Sequence, residues 1–132
     1  MGKSSKLSIR LHEAVARSSE ILSMLRRKGY TQTEEDAWID KDKLVCYKEF
    51  PTGVTVPSVA TLLVHYFGDA GELAVEVVAS SYEKGTTKGM SKDMFCTFLE
   101  REYEKVSRLS AEDCIDRAER AMKMYISALN EF

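Results

Sequence analysis

His65 is the residue of this chain best suited to acid–base chemistry, because imidazole titrates close to neutral pH. In the strand register derived below it lies near Glu72, Glu76 and Thr61, and a carboxylate there would orient the ring as a general base or metal ligand. The competing interpretation is an exposed His–Glu pair between neighbouring strands. One histidine with one or two acids is a common grouping, so the sequence favours a protein without catalytic residues over an enzyme centred on His65.

A second segment suited to chemistry combines glycines, hydroxyls and lysines between Lys84 and Lys92. Glycine lets a backbone approach a ligand closely, and the first amides of a helix attract anions. The segment lacks the Gly-Lys-Ser/Thr ending of a Walker loop, and a connector kept soluble by its lysines is the alternative. With the basic end of the first helix, the candidate residues for binding phosphate or nucleic acid are Arg26, Arg27, Lys28, Lys84, Lys88 and Lys92.

The three cysteines have no spacing typical of a zinc or redox site. Cys46 falls on the apolar face of the predicted sheet, whereas Cys96 and Cys114 fall on separate helices. Buried thiols of this kind behave as small apolar side chains. The acidic run from Asp36 to Asp42 also lacks the glycine and glutamate that an EF-hand requires. We therefore expect neither a metal nor a cofactor.

The chain has 132 residues and a net charge of -2, which fits one compact domain spanning residues 1–132. The charge is uneven, because residues 1–28 carry +5, residues 29–83 carry -7 and residues 84–132 are neutral. No apolar run has the length of a membrane helix, and the first residues do not resemble a signal peptide. We expect a cytoplasmic protein with reduced thiols and without a transmembrane segment.

The first predicted element is a helix from about residue 5 to about residue 28. Its apolar residues recur at spacings of three and four, and Gly29 is well placed to end it. The stripe consists of Leu7, Leu11, Ala14, Ser18, Ile21 and Leu25. Residues 30–42 are polar and acidic, which indicates a loop.

The middle of the chain is predicted to form a three-stranded antiparallel meander. A turn at Pro51–Gly53 and a second turn at Gly68–Gly71 give a register that gathers the apolar residues on one face. That face contains Leu44, Cys46, Phe50, Val54, Val56, Ala60, Leu62, Val64, Tyr66, Leu73, Val75, Val77 and Ala79. Its only clearly polar members are Lys48 and Ser58. In the mainly α alternative, residues 57–84 are helical and Val64 and Val75 point outward, so the strands are the more consistent interpretation.

Two helices complete the predicted α+β domain and pack on one face of the sheet. Ser91 is expected to cap the first of them, which runs to about Leu109, and Ser110 is expected to cap the second. The apolar side of the last helix consists of Cys114, Ile115, Ala118, Ala121, Met122, Tyr125 and Leu129.

These features favour a small non-enzymatic binding or regulatory protein that acts through protein–protein contacts as a homodimer. The opposed charges of the first two segments favour contacts between chains, and the second sheet face is partly apolar. The predicted partner-binding residues, expected to be the most exposed on that face, are Tyr47, Leu63, His65 and Phe67. Nucleic-acid or phosphate binding is the second hypothesis, and an enzyme centred on His65 is the third.

Overall fold

Five strands and three helices account for most of the part of the chain that the computed structural model describes, which is residues 6–11, 18–33, 43–55, 58–68, 70–79, 87–105 and 110–131. For Lys6, Ala79 and residues 87–93 it describes the backbone alone. The strands are β1 Lys6–Arg10, β2 Thr31–Gln32, β3 Lys43–Pro51, β4 Val59–Phe67 and β5 Glu72–Ala79. The helices are α1 Ser18–Arg27, α2 Thr87–Glu104 and α3 Ala111–Leu129.

The strands form one antiparallel sheet in the order β1-β5-β4-β3-β2. The α+β class and the central β3-β4-β5 meander are confirmed, so the mainly α alternative is wrong. The prediction of only three strands is also wrong, because β1 and β2 each extend one edge of the meander. Thr31 and Gln32, predicted as loop, pair with Tyr47 and Cys46.

The predicted long first helix is wrong at its beginning, where residues 6–10 form β1. Leu7, Ile9 and Leu11 alternate with polar residues, and this period of two lets Leu7 and Ile9 lie opposite Val75 and Leu73. Residues 12–17 lie outside the described residues. The helix is confirmed from Ser18, and Gly29 ends it as predicted with a φ of 94°, which is accessible chiefly to glycine.

The two predicted turns have different outcomes. Phe67 lies opposite Glu72, as the four-residue turn at Gly68–Gly71 requires. The turn at Pro51–Gly53 is wrong, because Phe50 pairs with Ala60 and Pro51 itself belongs to β3. Asn130 holds this longer connection by donating its side-chain N–H to the carbonyl oxygen of Thr52 at 2.7 Å. The register moves by an even number of residues, so the side chains within β3 and β4 keep their predicted faces. Val54, predicted as part of a strand, lies in the connection, and Val56 lies outside the described residues.

The inner face of the sheet and all three described helices enclose a single apolar core. Every predicted apolar residue of α3 is buried, and Ser110 caps that helix by accepting a hydrogen bond from the Asp113 amide at 3.1 Å. The inner-face prediction is confirmed by the buried residues Leu44, Cys46, Ala60, Leu62, Val64, Tyr66, Leu73, Val75 and Val77.

Helix α2 begins at Thr87 rather than at Ser91, so residues 87–92 of the predicted loop are helical. Gly89 within this first turn costs about 1 kcal/mol relative to alanine. The buried side chains of Phe95, Leu99 and Tyr103 outweigh that cost, because they anchor the rest of the helix in the core. The glycines and lysines of this segment therefore led to a predicted start of α2 that is four residues too late.

Candidate protein-binding face of the sheet

The face of the sheet opposite the core, called the outer face here, is built from four cross-strand rows on β3, β4 and β5. Residues directly opposite one another in an antiparallel pair project to the same side. The first row is Lys43, Phe67 and Glu72; the second is Val45, His65 and Ala74; the third is Tyr47, Leu63 and Glu76; and the fourth is Glu49, Thr61 and Val78. The outer face therefore mixes apolar and aromatic side chains with one lysine, one histidine and three acids.

The four predicted partner-binding residues lie on the outer face, but they are half-buried rather than strongly exposed. Tyr47 and Leu63 are directly opposite each other, and Phe67 lies in a neighbouring part of β4. The Lys43 ammonium lies 5.7 Å from the centre of the Phe67 ring, where the ring's negative face attracts a cation. Val45 is 6% exposed and Ala74 is fully buried, so the second row is the most enclosed part.

His65 contacts one of the carboxylates that the sequence placed near it. Its Nε2 atom is 3.1 Å from Oε1 of Glu76, the diagonal neighbour on β5. The two side chains are 12% and 24% exposed, so the contact is partly shielded from water. This geometry fits a cross-strand pair that joins β4 to β5. Among the described residues no third His, Cys, Asp or Glu side chain joins a cluster with them that could hold a metal ion.

The predicted anion-binding residues are not assembled into one site by the described part of the chain. Arg26 and Arg27 are exposed at the end of α1. The Lys28 ammonium lies 2.7 Å from Asp116 and 3.1 Å from Glu112, and the hydrogen bond to Asp116 raises its pKa. Lys84 lies outside the described residues, and Lys88 and Lys92 are described only as backbone positions in α2. Phosphate or nucleic-acid binding stays a prediction.

Comparisons with protein-family models, with curated proteins and with solved structures give no match. Functional conclusions for this chain therefore rest on its own residues and their contacts. Of the helices that the structure describes, none combines the length and the apolar composition needed to cross a membrane.

Sequence reasoning missed a polar network at the edge of the core. The Lys48 ammonium donates to the Lys28 carbonyl oxygen at 2.8 Å and lies 3.4 Å from Oε2 of Glu119. The Tyr30 hydroxyl donates to the same Glu119 oxygen at 2.7 Å, and burial raises the pKa of Tyr30. Lys48 was the one charged residue on the predicted apolar face, and its presence there was the feature of the sequence that could have indicated a polar network. The network ties the end of α1 and β3 to α3.

Part of the charge gradient of the sequence falls on two neighbouring strands, β1 and β5. Lys6 and Arg10, in the basic first segment, lie opposite Glu76 and Glu72 of the acidic middle segment. Opposite charges at directly opposed positions favour the pairing of two antiparallel strands. The charge gradient therefore agrees with the position of β1 beside β5.

The three thiols of the chain are expected to be unreactive while the protein is folded. Cys46, Cys96 and Cys114 are all buried, and burial raises the pKa of Cys46 to about 11 and that of Cys114 to about 12. The thiolate is the reactive form, so at neutral pH reaction with Ellman's reagent should be slow. We expect fewer than about one thiol per chain to react before unfolding and all three in guanidinium chloride. Fast reaction of a thiol in the folded protein would contradict this arrangement.

Proposed function

We propose that this protein is a small non-enzymatic binding protein that acts through protein–protein contacts and forms a homodimer through the outer face. The observation that carries the proposal is the distribution of side chains on that face. Half-buried Tyr47, Leu63 and Phe67 lie around the His65–Glu76 pair, while Lys43 stands on β3 and Glu72 stands on β5. Aromatic and apolar side chains with charged groups at their border are typical of a surface that another protein covers.

A second copy of the chain fits this face by symmetry. Most soluble homo-oligomers are cyclic dimers, in which the same surface patch meets itself. A two-fold axis along β4 lays β3 of one copy over β5 of the other, at the spacing of about 10 Å common to packed sheets. Because Lys43, Phe67 and Glu72 share one row, Lys43 of each copy then faces Glu72 of the other.

The half-buried apolar side chains of β4 fit the same arrangement. The axis sets Leu63 of one copy against Leu63 of the other, and Phe67 against Phe67. Placing Lys43 opposite Glu72 favours this orientation. The second copy thus covers the exposed parts of Leu63 and Phe67 and sets an acid opposite Lys43.

Replacing Leu63 with arginine should disrupt the proposed dimer. A charge at the apolar centre loses its hydration on association, so we expect the dimer dissociation constant to rise at least about 100-fold. Sedimentation velocity across a range of concentrations measures it. Met124→Arg is the matched control, since Met124 is 40% exposed and lies on α3 in the helical layer. A wild-type chain that is monomeric at high concentration, or a Leu63→Arg variant that still dimerises, would rule out this interface.

Charge reversal tests the orientation of the same interface. Lys43→Glu and Glu72→Lys should each weaken the dimer, because each creates like charges across the two-fold axis. The double variant should recover most of the wild-type affinity, since it restores the opposite charges with their positions exchanged. Circular dichroism of each variant checks that the strand content is retained, since Glu72 also lies opposite Arg10 of β1. Equal weakening in the double variant would exclude this orientation.

The proposed setting is the cytoplasm. The three buried cysteines support it, since thiols persist as thiols in a reducing compartment. The proposed regulatory role is an exchange of partners, in which another protein replaces the second copy on the outer face.

A further inference from the structure

Strand β1 forms one edge of the sheet and pairs only with β5 within the described residues. Leu11 lies next to this register, and its amide donates to the Gly71 carbonyl oxygen at 2.9 Å. In antiparallel pairs, residues that exchange hydrogen bonds with the neighbour alternate with residues whose backbone groups point the other way. Leu7 and Ile9 therefore bond to β5, whereas the N–H and C=O groups of Lys6, Ser8 and Arg10 point to the free edge.

The side chains on this edge have a distinct pattern. Leu7 and Ile9 are half-buried and pack against the core, while Ser8 and Arg10 are exposed. Lys6 and Arg10 occupy outer-face positions four residues apart, with Ser8 between them. Among the residues that the structure describes, these backbone groups of β1 have no strand partner, and they stand beside two basic positions four residues apart.

Strand β5 shows which sequence complements these positions. Its Glu76 lies opposite Lys6 and its Glu72 lies opposite Arg10, so acids four residues apart match β1 in antiparallel register. A second copy of β1 does not match, because centring the pair on Ser8 sets Lys6 opposite Arg10 and places like charges together. The basic positions thus oppose edge-to-edge pairing of identical chains, a common protection of edge strands.

We propose that the free edge of β1 binds an extended acidic segment of another protein by strand addition. The segment carries acids at its first and fifth positions, opposite Arg10 and Lys6, and a small polar residue opposite Ser8. Its second and fourth residues face the helical layer and are apolar, as in β5. Backbone hydrogen bonds to β1 supply the affinity, and the two acids fix the antiparallel direction of the segment and its register against β1. Lys6 and Arg10 stand on the same side of the sheet as the outer face, but the segment pairs with the backbone of β1 at the edge, whereas the proposed dimer covers β3, β4 and β5.

Two synthetic peptides test the charge preference on the full chain. One contains Glu-Val-Thr-Val-Glu and the other contains Lys-Val-Thr-Val-Lys, each flanked by glycines and labelled with a fluorophore. Fluorescence anisotropy should show the acidic peptide binding at least about tenfold more tightly, because it exchanges two like-charge contacts for two opposite-charge contacts. In the variant Lys6→Gln with Arg10→Gln, the ratio of the two affinities should fall close to one. Equal binding of both peptides to the wild type would overturn the proposal.

Ser8→Pro tests strand addition itself. Proline removes an N–H that points to the free edge, so pairing with β5 is preserved while one hydrogen bond to the peptide is lost. We expect at least about tenfold weaker binding of the acidic peptide, with Ser8→Ala unchanged. Hydrogen exchange adds a second readout, since the Ser8 amide should become protected when the peptide binds. Unchanged binding by a folded Ser8→Pro variant would overturn the proposal. If that variant unfolds, the wild type provides the test, and an exchange rate of the Ser8 amide that the acidic peptide leaves unchanged would overturn the proposal.

Discussion

Replacing Glu102 with alanine is expected to lower the free energy of unfolding by about 2–3 kcal/mol, because it removes the carboxylate that joins α2 to α3. The Glu102 side chain is 1% exposed and accepts from Lys105 at 2.8 Å and from Arg117 at 3.3 Å. Arg117 also donates to the Glu102 carbonyl oxygen at 3.2 Å, and Arg120 lies 3.9 Å from the carboxylate. Alanine leaves the half-buried Arg117 guanidinium without its acid and opens a space beneath it.

The pH dependence of this contribution has a defined sign. The hydrogen bond from Lys105, followed by the charges of Lys105, Arg117 and Arg120, holds the pKa of Glu102 below its ordinary value of 4.5 against the opposing effect of burial. A carboxyl whose pKa is depressed by folding stabilises the native state above its unfolded pKa. That stabilisation is lost as the pH falls through the lower pKa of the folded protein. Stability should therefore decrease on acidification.

Urea unfolding of Glu102→Gln against wild type measures this effect. The amide keeps the shape of the side chain but does not ionise, so the loss should be largest near roughly pH 7 and should shrink toward roughly pH 3. Glu100→Gln is the matched control, because Glu100 is exposed on the same helix, and it should change stability by less than about 0.5 kcal/mol. A difference between Glu102→Gln and wild type that is constant with pH would contradict an ionised Glu102.

The faces of the sheet were predictable because strand side chains alternate with a period of two. Any even shift in register keeps that alternation, so Cys46 and Leu62 were placed inward correctly although the β3–β4 turn was wrong. The same argument placed His65 and Glu76 together on the outer face, where the structure has them in contact. Local periodicity therefore fixed which residues share a face, without fixing the length of the connection between strands.

Strand β1 was not predictable from local pattern, because two periodicities overlap in its residues. Leu7 and Leu11 fit a helical stripe that continues to Ile21, whereas Leu7, Ile9 and Leu11 fit a strand. The choice depends on β5, which lies more than sixty residues further along the chain. The acids at Glu72 and Glu76 were visible in the sequence, but only the antiparallel pairing reveals that they match Arg10 and Lys6.

Two further features could not be predicted from the sequence, namely the half-burial of the outer-face residues and the polar network around Lys48. Both depend on contacts between elements that are distant along the chain, such as the 2.8 Å bond from Lys48 to the Lys28 carbonyl oxygen. Cross-strand rows, in contrast, follow directly from register. The charge relation between Lys43 and Glu72 becomes apparent only when β3, β4 and β5 are placed side by side.

Phe95→Ala is expected to have the largest effect on stability, a loss of about 3–5 kcal/mol. Phe95 on α2 is fully buried, and its ring meets Tyr125 of α3 edge to face, with centroids 6.1 Å apart and planes at 81°. Alanine removes the aromatic ring and leaves a cavity between the two helices that the packed core closes only in part. Phe98→Ala is the comparison, since Phe98 is half-buried on the same helix and should cost less.

A double-mutant cycle of Phe95→Leu with Tyr125→Leu separates the ring contact from general burial. Leucine retains most of the apolar volume, so the coupling between the two variants should be about 0.5–1.5 kcal/mol, the value typical of edge-to-face rings. Chemical denaturation of the wild type, both single variants and the double variant measures it. Additive losses would mean that the two rings stabilise the protein only through their burial. A coupling in the expected range would mean that the edge-to-face contact itself helps to hold α3 against α2.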